Sequence, residues 1–124
     1  MGRKILIVDD EPNIVISLEF LMKREGFEVV VAADGDAALQ AMAEHVPDLV
    51  LLDILMPGKD GFEVCQQIRS NPAWQGVKIV MVTARDRDTD RAKALALGAD
   101  AYLTKPFPTK ELTQVVRQLL DRTS

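Results

Sequence analysis

Four short apolar runs, each leading into a residue that can do chemistry, constrain this chain more than any other feature. Lys4-Ile5-Leu6-Ile7-Val8 leads into Asp9 and Asp10, and Leu49-Val50-Leu51-Leu52 into Asp53. Lys78-Ile79-Val80-Met81-Val82 leads into Thr83, and Ala101-Tyr102-Leu103-Thr104 into Lys105. Runs this short, apolar on both faces, read as buried strands of a parallel sheet. In a parallel sheet the carboxyl ends of the strands open onto one edge, where open α/β folds bind their ligands. The pattern therefore predicts that three carboxylates, a hydroxyl and an ammonium meet in one pocket. Such a pocket suits a hard divalent cation and a phosphoryl group.

Between these runs the chain reads as helix. Pro12 stands near the start of a first helix that runs to about Glu25 and stops at Gly26. A second strand follows from Glu28 to Ala32, then a helix from Asp36 to about His45, closed by Pro47. The third strand is expected over Leu49 to Asp53. A third helix follows from Asp60 to about Ser70, ended by Asn71-Pro72. Strand four is expected over Ile79 to Val82, helix four over about Arg87 to Leu97 with Gly98 just past its end, and strand five over Ala101 to Thr104. The last helix is expected from about Thr109 to Arg122. Glycines past helix ends and prolines near helix starts are where backbone physics prefers them. Five β/α units of this length make a doubly wound, flavodoxin-like parallel sheet with helices on both faces.

Size and charge narrow the function. At 124 residues the chain is long enough for one core and too short for two, so residues 1–124 are expected to be one domain. Its 15 basic and 19 acidic side chains leave a formal net charge of -4, which argues against a general nucleic-acid binder. The one cysteine, Cys65, falls in a helical segment and reads as a small core residue. No apolar stretch approaches the ~20 residues of a membrane span. The start, Met1 to Ile5, lacks the apolar core and cleavage site of a signal peptide, so a cytoplasmic location is expected.

The chemistry follows from the predicted convergence. Charges about 4 Å apart repel by on the order of 4 kcal/mol at intermediate dielectric. Asp9, Asp10 and Asp53 would therefore cost stability together unless a cation joined them. Mg²⁺ takes oxygen ligands, keeps several waters, and binds through one or two carboxylates plus phosphate. The Lys105 ammonium offsets charge on a phosphoryl group, and the Thr83 hydroxyl donates a hydrogen bond to it. A carboxylate such as Asp53 is a nucleophile that forms an aspartyl phosphate, and it needs no general base at neutral pH. The only histidine, His45, is expected in solvent near the end of the second helix.

Taken in order, the motifs resemble a known family. They are Val8-Asp9-Asp10-Glu11-Pro12-Asn13, Ala33-Asp34-Gly35-Asp36-Ala37-Ala38-Leu39, Asp48-Leu49-Val50-Leu51-Leu52-Asp53 and Met56-Pro57-Gly58-Lys59-Asp60-Gly61. Val82-Thr83-Ala84, Gly98-Ala99-Asp100-Ala101-Tyr102-Leu103 and Lys105-Pro106-Phe107 complete them. The chain is similar to response-regulator receiver domains of bacterial two-component signalling, the single-domain chemotaxis regulator among them. The resemblance implies that Asp53 accepts a phosphoryl group from a histidine of a sensor kinase or phosphotransfer protein. It implies that Asp10, Asp53 and the backbone carbonyl of Leu55 ligate Mg²⁺, with Asp9 acting mostly through water. Thr83 would move onto the phosphoryl group, Lys105 would pair with it, and Tyr102 would turn inward as the coupled switch. A cis Lys105-Pro106 bond is implied as well. The function implied is a switch read by an output partner, catalysing only its own phosphorylation and dephosphorylation.

Two other readings use the same residues. A pseudo-receiver docking module would be expected to lack one of the acids or the lysine. A Mg²⁺-dependent phosphohydrolase with an aspartate nucleophile would be expected to carry an acid two residues on, where this chain has Leu55. The chain also departs from its relatives in places. Pro108 stands where they often place a capping Ser or Asp, so Thr109 is expected to cap a helix that begins a residue late. Ala101 replaces an acid used in one mode of dimerisation, and Leu55 and Arg85 flank the expected pocket. On the first helix Ile14, Leu18, Leu21 and Met22 form one stripe toward the sheet. Ile16 and Phe20 face away from it with Val15 at the flank, where relatives often carry charge. With Pro106 and Phe107 they mark a candidate docking face for the phosphodonor protein.

Overall fold

The structure, a computed structural model, describes residues 3–121. Its strands are β1 (Lys4–Val8), β2 (Glu28–Ala32), β3 (Leu49–Leu52), β4 (Lys78–Thr83) and β5 (Ala101–Thr104). The helices are α1 (Pro12–Arg24), α2 (Gly35–His45), α3 (Gly61–Ser70), α4 (Asp88–Ala96) and α5 (Thr109–Asp121). All strand pairs are parallel, and the sheet order is β2-β1-β3-β4-β5.

Because successive side chains of a strand point to opposite faces, each apolar run feeds two cores at once. Leu6, Val8, Val50, Leu52, Ile79 and Met81 pack on one face against Ala38 and Met42 of α2, Phe62, Cys65 and Ile68 of α3, and Ala94 of α4. Ile5, Ile7, Leu49, Leu51, Val80 and Val82 pack on the other against Leu18, Leu21 and Met22 of α1 and Leu112, Val116 and Leu119 of α5. This is why the runs are apolar throughout instead of alternating. A side chain of this size contributes about 1.5–3 kcal/mol when fully buried, so both layers resist polar substitution.

The order of strands also places the site. The chain passes from β1 outward to β2, then returns across β1 to β3 on its other side. The loops after β1 and β3 therefore diverge, and the crevice between them is where a doubly wound sheet receives a ligand. Asp9 follows β1 and Asp53 follows β3, so both stand at this switch point.

Several boundaries differ from the sequence expectation. The third strand ends at Leu52, leaving Asp53 in the loop, and β4 extends by one residue at each end to Lys78 and Thr83. The segment after α3 is not a simple stop: Asn71 caps a 3₁₀ turn, Pro72–Trp74, by accepting the Ala73 N–H at 2.9 Å. Proline fixes φ near the helical value, so it starts this turn while ending α3. Thr109 does not delay α5. α5 opens at Thr109, and the carbonyl of the preceding Pro108 accepts the Leu112 N–H at 3.1 Å as the first bond of the helix. Thr109 sits inside the first turn, and its carbonyl accepts the Thr113 hydroxyl. The expected end at Arg122 lies outside the described residues. Among the described residues no helix is long and apolar enough to cross a membrane.

Candidate functional site: an acidic pocket at the carboxyl edge of the sheet

Asp9 and Asp53 are both 2 % exposed, while Asp10 opens to solvent. One carboxylate oxygen from each of the three lies within 4.8 Å of the others. Local bonds orient them: Asp9 Oδ1 accepts the N–H of Glu11 at 2.9 Å, and Asp53 Oδ1 accepts that of Leu55 at 3.1 Å. Each carboxylate thus holds down the turn that follows its own strand. Asp53 is fixed from behind as well, since the Asp53 N–H donates to the Val8 carbonyl.

Lys105 joins the acids from the far side of the sheet. Its Nζ donates to Asp9 Oδ2 at 2.8 Å, Asp53 Oδ2 at 3.1 Å and Glu11 Oε1 at 2.8 Å. Burial alone would lower the lysine pKa, but the hydrogen bonds from Asp9, Glu11 and Asp53 outweigh it and hold the ammonium well above its ordinary range. The opposite balance acts on Asp9. Burial raises its pKa, and the Lys105 and Glu11 hydrogen bonds only partly offset this. The Lys105-Pro106 bond is cis, as the resemblance implies.

Thr83 closes β4 and is fully buried, with its hydroxyl oxygen 3.4 Å from the Arg85 N–H. Tyr102 points inward, 6 % exposed, and its hydroxyl donates to the Arg85 carbonyl at 2.9 Å. Arg91 lies over the Tyr102 ring at 4.8 Å and donates to the Tyr102 carbonyl. The loop after Thr83 therefore bridges the pocket and the Tyr102 ring. Arg85 itself pairs with Asp90 at 3.4 Å.

The mouth is an open cavity of about 440 Å³ lined by Asp10, Ile54, Leu55, Met56, Pro57, Asp60 and Arg85. Its floor depends on a glycine. Gly61 opens α3 so close to the end of β3 that a Cβ there would stand 2.7 Å from the Ile54 Cα. Asp60 caps the same helix by accepting the Glu63 N–H. Farther out, Lys59 pairs with Asp36 at 2.9 Å and ties the loop to α2.

The carboxylates fit a divalent metal. They are hard oxygen donors of the kind Mg²⁺ takes, and one oxygen of each lies within 4.8 Å of the others. The structure thus brings together Asp9, Asp10, Asp53 and Lys105, and sets Thr83 and Tyr102 on the adjoining loop. Glu11 also joins the pocket, a partner of Lys105 that no motif assigns. Its adjacency to the acid pair was the available signal. His45 is exposed and Cys65 is buried, with burial pushing its thiol up to about 11. Neither belongs to the pocket.

The response regulator receiver domain model matches residues 5–117, and the chain belongs to that family. Solved structures agree. The BeF3-activated N-terminal receiver domain of RstA from Klebsiella pneumoniae is 37% identical, with a TM-score of 0.89 over 95% of this chain and 98% of that one. A CheY-like response regulator receiver domain protein from Methanospirillum hungatei is 31% identical, with a TM-score of 0.93 over 99% and 97%. A two-component response regulator from Clostridium difficile is 28% identical, with a TM-score of 0.93 over 99% of each chain. Receiver domains are signalling switches that typically bind Mg²⁺ at an acidic pocket and interact with histidine kinases and output domains.

Proposed function

We propose that residues 1–124 act as one phosphoacceptor switch, with Asp53 taking a phosphoryl group from a phosphohistidine of a sensor kinase or phosphotransfer protein. The observation that carries this reading is the meeting of Asp53, Asp9 and Lys105 at 2.8–3.1 Å, at the switch point of a receiver fold. An Asp53 oxygen attacks phosphorus, and the P–O bond forms as the P–N bond to the donor imidazole breaks. The electron pair stays on the imidazole nitrogen, which takes a proton from water. The product is an acyl phosphate. Asp10, Asp53 and the Leu55 carbonyl would hold Mg²⁺, with Asp9 acting through water, and the ion would supply charge neutralisation there. Lys105 pairs with a phosphoryl oxygen and holds the group in line, while the Thr83 hydroxyl donates to another. Drawing Thr83 forward pulls on the loop that also receives the Tyr102 hydroxyl, which couples the pocket to the α4–β5 face.

Incubation with acetyl phosphate and Mg²⁺ should add one phosphoryl group, and Asp53→Ala should abolish it. A full mass shift in Asp53→Ala, or labelling in excess EDTA, would sink the assignment. No labelling of the wild type would favour a phosphate-independent docking module.

The phosphodonor protein has a fitting surface beside the pocket. Ile16 and Phe20 are each 64 % exposed on α1. A groove of about 470 Å³ runs along Ile14, Ser17, Phe20, Leu21, Pro106 and Phe107. The residue before Pro106 is Lys105, so a helix seated in this groove would bring its phosphohistidine to the mouth. Ile16→Glu with Phe20→Lys should slow transfer from the cognate histidine about tenfold or more and spare labelling by acetyl phosphate. Equal loss of both would indicate misfolding, and loss of neither would remove this docking site.

A further inference from the structure

Glu11 occupies the N-cap position of α1 with an extended backbone, φ -89 and ψ 110. A side chain there ordinarily accepts an N–H of the first turn, yet Glu11 makes no such bond. Its carboxylate instead reaches Lys105 Nζ at 2.8 Å, as short as the contact from Asp9 and shorter than that from Asp53. The lysine side chain is 8 % exposed and that of Glu11 is 58 % exposed. A buried ammonium is therefore shared among two deep carboxylates and one at the solvent.

An ammonium has three N–H donors, and Asp9, Glu11 and Asp53 take all of them. A phosphoryl oxygen that pairs with Lys105 must displace one of these acceptors. Asp9 is buried and its other oxygen is engaged by the Glu11 N–H, so its carboxylate is anchored beside the ammonium. Asp53 carries the incoming group. Glu11 is the one acceptor that water can take back when it lets go.

We infer that Glu11 is a gate on phosphorylation, a positioning residue whose carboxylate holds the Lys105 donor that the phosphoryl group needs. This rests on the Asp53 phosphoacceptor reading. In the resting protein the Glu11 contact occupies one of the three ammonium donors. Reaching the phosphorylated state includes breaking that contact, so the gate lowers the rate at which any donor, protein or small molecule, loads Asp53. Glu11 also adds a negative charge near the mouth, which repels anionic donors whatever it touches. The two effects separate by reach. Glu11→Asp keeps the charge but is one methylene too short to hold Lys105, and aspartate at this position turns to cap the helix. Glu11→Gln keeps the reach and loses the charge.

The test is the second-order rate of labelling by acetyl phosphate at saturating Mg²⁺, in wild type, Glu11→Asp and Glu11→Gln. Both variants should label faster by about three- to fivefold, the scale set by an ion pair with one exposed partner. Faster labelling in Glu11→Gln alone would assign the effect to bulk repulsion and overturn the gate. Unchanged or slower labelling in both would overturn it too, the slower result making Glu11 a support for Lys105. A wild type that takes no label fails the phosphoacceptor reading and the gate together. A labelled wild type with unaltered variants fails the gate alone.

Discussion

Aspartates stand at both ends of the sheet, and the two sets are held in opposite ways. At the amino edge Asp48 accepts the Lys4 N–H at 2.7 Å, and its own N–H and carbonyl bond to the backbones of Lys4 and Lys78. Asp100 accepts the Ile79 N–H at 2.8 Å and the Arg69 guanidinium at 2.9 Å. The same arginine donates to the Gly98 carbonyl, tying α3 to the turn before β5. These carboxylates face donors. At the carboxyl edge Asp9 and Asp53 share one ammonium with Glu11, and Asp10 adds another negative charge beside them. The same residue type faces only donors at one edge and crowds several negative charges around one ammonium at the other. What its neighbours offer decides which.

The contrast should be largest toward a cation. Mg²⁺ at 100 times its Kd should stabilise the protein by about 2.7 kcal/mol, and matched NaCl by much less. For a chain of this length that is a rise in Tm of roughly 10 °C. Asp10→Ala should blunt the response and Asp100→Ala should leave it whole. An Asp10→Ala protein with an unaltered Mg²⁺ titration would erase the distinction between the edges.

Without metal, the amino edge should matter more to stability. Asp100→Ala removes two hydrogen bonds to a charged acceptor and leaves Arg69 short of its partner. It should cost about 2 kcal/mol in urea unfolding while acetyl phosphate labelling persists. The smallest effect should come from Asp53→Ala. Loss of the Lys105 and Leu55 N–H contacts is offset by relief of repulsion with Asp9, so stability should shift by less than about 1 kcal/mol as labelling disappears. A large destabilisation by Asp53→Ala with a mild Asp100→Ala would invert the comparison.

How legible these edges were differs too. Asp9, Asp10, Asp53, Thr83 and Lys105 could be read because each ends an apolar run, and the parallel sheet sends every such end to one side. The stripe of Ile14, Leu18, Leu21 and Met22 followed from helical period alone, and with it the exposure of Ile16 and Phe20, although Ile14 is only half-buried and also lines the groove. Val15, placed at the flank, is in fact half-buried against the core. The pairing of Arg69 with Asp100 spans 31 residues and leaves no local signal. The Pro72–Trp74 turn was hidden because a proline that stops one helix looks the same as one that starts the next. The expected start of α5 at about Thr109 is where the helix opens, whereas Thr109 is already a helical residue and so is not the cap that the sequence suggested.

By itself the sequence determined the alternation of strand and helix, the double-faced burial of the strands and the set of residues at the carboxyl edge. Those depend on periodicity and on where runs end, which are local properties. Tertiary structure alone decided how the charges are shared. Lys105 meets Glu11 and Asp9 across more than ninety positions of chain, through 94 and 96 residues, because β5 and β1 deliver their ends to one crevice. Which carboxylate faces solvent, and so can release the ammonium, depends on packing around it and not on its place in the chain.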